Sequence, residues 1–165
     1  MMITLTGFMG GGKTTVGRLL ADALGCPFMD LDDLIVKKAG KSIPDIFAQD
    51  GEPAFRQLEA QVLRKTVEKY AESTAVLALG GGAVLAPASA ALLHEKTVCI
   101  YLRATIDTLL ARLAGETAGR PLADDAMASR LAEREPIYEK TAHVIIDTDG
   151  LSPDEVTDEI IISAL

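Results

Sequence analysis

The sequence predicts an α/β protein: a parallel sheet with helices on both of its faces. Three observations lead there. Five apolar runs of strand length recur, at residues 3–6, 28–31, 75–79, 98–102 and 144–147. Long helical patterns separate them, so successive strands run parallel through right-handed crossovers. A Gly-rich turn joins the first run directly to the first helix. Ligands in such sheets bind at the carboxyl ends of the strands, so the residue after each strand is the one to examine.

The first run, Ile3-Thr4-Leu5-Thr6, reads as a short buried strand. Gly7-Phe8-Met9-Gly10-Gly11-Gly12-Lys13-Thr14 follows and fits the phosphate-loop pattern of Gly, four residues, Gly-Lys-Ser/Thr. Lys13–Leu24 then reads as a helix with Val16, Leu19, Leu20, Ala23 and Leu24 apolar on one side. Glycines allow positive φ, so the turn can aim backbone N–H groups inward, and the helix N-terminus adds unpaired donors. Lys13 reaches outer phosphates and the Thr14 hydroxyl ligates Mg²⁺, which predicts a bound nucleoside triphosphate.

The second run ends in Asp30-Leu31-Asp32. Alternation along an extended segment puts both carboxylates on one side, beside the phosphate loop. One could hold Mg²⁺ through water and the other accept a proton from a substrate hydroxyl. A solvated Asp cluster, or an N-cap for a helix beginning near Asp33, accounts for them equally well. Ser42-Ile43-Pro44-Asp45 starts a further helix. Phe55-Arg56-Gln57-Leu58-Glu59 lies at the start of one running to about Tyr70. Arg56 and Glu59 share a face of it, so Arg56 could grip a carboxylate while Glu59 holds it, or the two form a surface ion pair.

The third run ends in Gly80-Gly81-Gly82, where many phosphate-loop enzymes carry a metal-binding Asp. Here a ligand could lie against bare backbone, or the glycines make a tight turn into a helix near Pro87. After the fourth run, residues 115–125 hold Gly119, Arg120 and Pro121 between two helical segments, and read as a flap or an ordinary surface loop. Arg134-Glu135-Pro136-Ile137-Tyr138 supplies another Arg. Ser152-Pro153-Asp154-Glu155 is a capping box that opens the last helix, which packs through Val156, Ile160 and Ile161.

The chain's 165 residues are 48% hydrophobic and 24% charged, which suits one domain, 1–165, with one core. No apolar run approaches the ~20 residues of a membrane helix. No signal-peptide pattern opens the chain, so a cytoplasmic protein is expected. The formal net charge of −8 argues against a nucleic-acid partner. Cys26 and Cys99 lack metal-type spacing and read as small core residues. His94 and His143 read as isolated and structural.

In order and at similar spacing, the phosphate loop, Phe28-Met29-Asp30-Leu31-Asp32, Phe47, Phe55-Arg56-Gln57-Leu58-Glu59, the triple Gly, Arg120-Pro121-Leu122 and Arg134-Glu135-Pro136-Ile137-Tyr138 resemble shikimate kinase over nearly the whole chain. The resemblance implies a nucleoside-monophosphate-kinase-like α/β/α fold with five parallel strands in order 2-3-1-4-5. It implies transfer of the ATP γ-phosphoryl group to the 3-hydroxyl of shikimate, in aromatic amino acid and chorismate biosynthesis. On that basis Asp32 is the base and binds the hydroxyls, while Arg56 and Arg134 hold the carboxylate. Gly80, Gly81 and Gly82 contact shikimate, and Phe47 and Phe55 wall the pocket within a substrate-binding segment at about 33–62. Gly10, Gly11, Gly12, Lys13, Thr14, Thr15, Arg112 and Pro153 match ATP-side positions. Asp30 and Thr14 organise Mg²⁺, Lys13 and Arg120 neutralise the transferring phosphate, and the protein is a monomer. Val36 stands where an acid is usual, and Arg-Pro-Leu-Ala replaces the usual second Leu. A gluconate-type kinase, a non-catalytic nucleotide-binding module and a nucleic-acid-associated NTPase are the competing readings.

Overall fold

A computed structural model describes residues 1–116 and 124–165. Strand β1 is Met2–Thr6, and all five of its residues are buried, as a central strand covered on both faces requires. Helix α1 (Lys13–Leu24) and strand β2 (Phe28–Asp30) follow, then three helices: α2 (Leu31–Ala39), α3 (Ile43–Asp50) and α4 (Glu52–Lys69). Strand β3 (Ala75–Ala78) leads through a short 3₁₀ turn, Ala83–Leu85, into α5 (Pro87–Lys96). Strand β4 is Val98–Arg103, and helices α6 (Ile106–Glu116) and α7 (Asp124–Thr141) follow it. Strand β5 (Val144–Asp147) and α8 (Pro153–Ala164) end the chain.

The sheet order is β2-β3-β1-β4-β5, and every pairing is parallel. Both match the expectation. Side-chain alternation divides the core. Met2, Leu77 and Tyr101 join Leu31, Ile35, Phe55, Leu63, Leu93 and Tyr138 on one face. Ile3, Leu5, Val76, Ile100 and Leu102 join Val16 and Leu20 of α1 and Val156 and Ile160 of α8 on the other. Each such Leu or Ile, withdrawn wholly from water, contributes about 1.5–3 kcal/mol.

Local chemistry sets the helix ends. Ser42 caps α3 by accepting from the Asp45 N–H, and Ser152 and Glu155 form the full capping box of α8. The second strand ends sooner than the alternation argument requires. Asp30 is in extended backbone and its side chain accepts from the Asp32 N–H, so it caps α2, and Asp32 stands in that helix's first turn. The two carboxylates are therefore not partners on one extended face. The local Asx hydrogen bond wins over strand propagation because the β3 partner of β2 ends at Ala78, opposite Asp30.

Two smaller expectations change. Cys99 is buried, but Cys26 is only half-buried, in the turn that follows the Gly25 cap of α1. His94 and His143 are not isolated: their rings stack at 4.5 Å, and His143 accepts from the Cys99 N–H. Of the stretch expected as a flap, the two ends belong to α6 and α7; the rest, with Arg120, lies outside the described residues.

Candidate active site

The phosphate loop sits at the carboxyl end of β1. Gly10 and Gly12 have φ of 79° and 85°, values that L side chains rarely adopt. Gly12 precedes α1 without any side-chain cap, so the first N–H groups of that helix stay available to an anion. Lys13 folds back along the loop and donates to the carbonyls of Gly7 (2.7 Å) and Phe8 (3.0 Å). Burial lowers its pKa to about 8, against the opposing pull of Asp32 and Asp30.

A cavity of about 210 Å³ opens on one side of this loop, between Gly10, Gly11, Gly12 and Thr15 and the chain around Thr148 and Pro153. Arg112 closes part of its wall, donating to the Gly10 carbonyl at 3.3 Å and to the Thr148 carbonyl and hydroxyl at 3.2 Å. On the β2 side, the Thr14 hydroxyl donates to Asp30 Oδ2 at 3.0 Å. A hydroxyl and a carboxylate converging there are hard oxygen donors of the kind Mg²⁺ takes, with phosphates and water completing the shell.

A second cavity, of about 330 Å³, lies on the other side of the loop. Met9 lines it, and the very next residue, Gly10, lines the first cavity, so the two share a wall. Its charged lining comes from three helices: Asp32 on α2, Arg56 and Glu59 on α4, Arg130 and Arg134 on α7. Phe47 and Phe55, with ring centroids 4.8 Å apart, form an apolar side, and Arg56 lies 5.2 Å from the Phe55 ring centre. The Arg56–Glu59 pair closes at 2.9 Å, and it is not a surface pair: the Glu59 side chain is only 5% exposed and that of Arg56 30%.

The triple glycine has a use that spacing alone does not reveal. A Cβ on Gly80 would meet Asp32 Oδ1 at 3.2 Å, and one on Gly81 would meet Arg134 Nη1 at 3.4 Å. On Gly82 it would come within 2.5 Å of Arg56 Nη1, which forces the guanidinium aside. Three successive bare Cα positions thus let a carboxylate and two guanidiniums crowd onto one short segment. Tyr138 fixes that segment from below through a hydrogen bond to the Gly81 carbonyl. Burial, and after it the neighbouring Asp30, raises the pKa of Asp32. Burial likewise raises that of Glu59, opposed chiefly by the hydrogen bond from Arg56.

Every substrate-side residue expected from the sequence, from Asp32 and Phe47 through Arg134, lines this second cavity. Met9, Ile43 and Arg130 line it too and were not anticipated. Arg130 could have been found from its spacing, one helical turn before Arg134. Among the described residues no group of three or more His, Cys, Asp or Glu could hold a metal by itself, and no helix is long and apolar enough to cross a membrane.

A 2-3-1-4-5 parallel sheet with a phosphate loop after its central strand, and a second polar cavity across that loop, defines a phosphate-loop kinase of the nucleoside-monophosphate-kinase type. The sequence matches the profile of the shikimate kinases over residues 9–164. A shikimate kinase of Enterococcus faecalis is 42% identical over 164 residues, covering 96% of this chain and 95% of that protein. The chain belongs to the shikimate kinase family. The structure of the Acinetobacter baumannii shikimate kinase in complex with shikimate superposes with a TM-score of 0.84 at 34% identity, covering 97% of this chain and 90% of that one. A gluconokinase from Sinorhizobium meliloti, with a TM-score of 0.67 at 19% identity over 98% of this chain and 89% of its own, shares the fold alone.

Proposed function

We propose that this chain transfers the γ-phosphoryl group of ATP to the 3-hydroxyl of shikimate, giving shikimate 3-phosphate and ADP. The observation that carries the reading is the packing of Asp32, Arg134 and Arg56 against Gly80, Gly81 and Gly82 beside the phosphate loop. A ring acid with one carboxylate and several hydroxyls complements the guanidiniums of Arg56 and Arg134, the Asp32 carboxylate and the bare backbone of the triple glycine. The whole chain acts as one kinase domain, with residues 33–62 as the acceptor-binding segment and 115–125 as its flap. In this reading it works as a cytoplasmic monomer.

In this scheme Arg56 and Arg134 hold the carboxylate, and Phe47 and Phe55 pack on the ring. Asp32 aligns the 3-hydroxyl and takes its proton as the oxygen attacks; its raised pKa strengthens it as a base. Gly10, Gly11, Gly12, Thr15, Arg112 and Pro153 hold the nucleotide. Lys13 and Arg120 offset charge on the transferring group. Mg²⁺, held by Thr14 and Asp30, neutralises phosphate charge when bound. Positioning and charge neutralisation together are what phosphoryl transfer chiefly needs.

The test is ADP release with ATP and Mg²⁺ over shikimate, quinate, gluconate and nucleoside monophosphates. Turnover is expected with shikimate; turnover of gluconate in its place rejects the assignment. Lys13 gives a second check. Its free-state pKa of about 8 rises when a triphosphate arrives, so the bound state carries more protons between the two values. Calorimetric binding of a non-hydrolysable ATP analogue at about pH 9, in buffers of different ionisation enthalpy, should show net proton uptake. Lys13→Met should abolish it, and an unaltered chain that takes up no proton refutes the assigned contact.

A further inference from the structure

We propose that Arg130 steers the anionic acceptor into its cavity, a role separate from gripping the carboxylate. The proposal rests on the reading of that cavity as the shikimate site.

Arg130 stands on α7 four residues before Arg134, so the two share a helix face, and both line the acceptor cavity. Their surroundings differ. Arg134 is half-buried, with its guanidinium 5.7 Å from the Phe8 ring centre. Arg130 is exposed at the cavity mouth, and among the described residues no ion pair engages it.

The charges of the lining decide what this adds. Arg56, Arg130 and Arg134 face two carboxylates, Asp32 and Glu59. Among the described lining residues the charges balance without Arg130, and with it there is one surplus positive charge. The whole protein carries a formal net charge of −8, and both proposed substrates are anions. At long range the molecule therefore repels what it must bind. A concave site with a surplus of the opposite sign focuses the field and raises the local concentration of a small anion. An exposed cation that no described residue pairs keeps its field for the incoming ligand. Arg56 spends much of its own on Glu59, at 2.9 Å.

An exposed charge acts through a screened field, with a reach of about 10 Å at 0.1 M salt and about 3 Å at 1 M. The test follows from that. Arg130→Gln should lower kcat/KM for shikimate about 3- to 10-fold at low ionic strength, with the loss shrinking below about 2-fold at 0.5 M salt. The loss should appear in KM, with kcat changed less than about 2-fold, because a rim charge governs encounter rather than the chemical step. Arg130→Lys should restore the wild-type salt profile. The neutral carboxamide of shikimate should be indifferent to the change. A low-salt kcat/KM equal to wild type, a loss that persists at high salt, or an equal loss with the carboxamide overturns the steering role. If the unaltered chain does not turn over shikimate, the site reading falls and takes this proposal with it. Normal turnover with an indifferent Gln variant removes the steering role alone.

Discussion

Replacing Asp32 by Asn is expected to lower kcat by about 10²- to 10⁴-fold, the range over which a positioned proton acceptor acts. The amide keeps the shape of the carboxylate, so the fit against Gly80 should survive, where a Cβ would lie 3.2 Å from Oδ1. ATP affinity near neutral pH should hold, since none of the residues around the first cavity changes. Two side effects distinguish a real Asp32 effect from general damage. Asp32 is the strongest of the charges supporting protonated Lys13, so its loss should push the Lys13 pKa further down and move the alkaline limb of activity to lower pH. The folded-state pKa of Asp32 lies above its unfolded value, so ionising it costs stability as pH rises through that interval. The Asn variant should therefore melt higher than wild type at neutral pH, the usual stability–activity trade-off of a working site. Steady-state kinetics and thermal melts check all of this, and a kcat within about threefold of wild type removes Asp32 as the base.

Replacing Arg56 by Ala is expected to weaken shikimate capture by about 2–5 kcal/mol, roughly 30- to 4000-fold in Kd. Part of that loss is the missing grip on the carboxylate. Part is Glu59, whose side chain is 5% exposed and would lose its 2.9 Å partner. A buried carboxylate left alone takes up a proton or destabilises its surroundings. The double variant Arg56→Ala/Glu59→Gln separates the two. It should regain most of the lost thermal stability while shikimate affinity stays poor. Calorimetric titration of both ligands measures the effect; an equal loss for ATP and shikimate takes Arg56 out of the acceptor site.

The sheet was legible because each strand announced itself by an apolar run, and the phosphate loop by a pattern that few other structures need. The Asp30 and Asp32 carboxylates were misplaced because residues 28–32 carry both a strand signal and an Asx cap, and periodicity cannot say which ends first. The cap prevails where β3 stops. The triple glycine was noticed, yet its packing was not. Three charged side chains arriving from α2, α4 and α7 meet it, and no local window contains such a meeting. Arg130 was missed for a related reason. Its spacing from Arg134 was the one available signal, but an Arg on a polar helix face looks like any solvated residue until the helix is docked against a cavity.

Asp30 divides its labour between its two oxygens. Oδ1 anchors the start of α2, and Oδ2 takes the Thr14 hydroxyl. Under the proposed Mg²⁺ site, a cation on Oδ2 would leave the Oδ1 bond to the Asp32 N–H in place, and the start of the helix that carries Asp32 would stay moored. The anchorage is mechanical only, since the charge on Asp30 still reaches Asp32 and a cation there would draw the Asp32 pKa down.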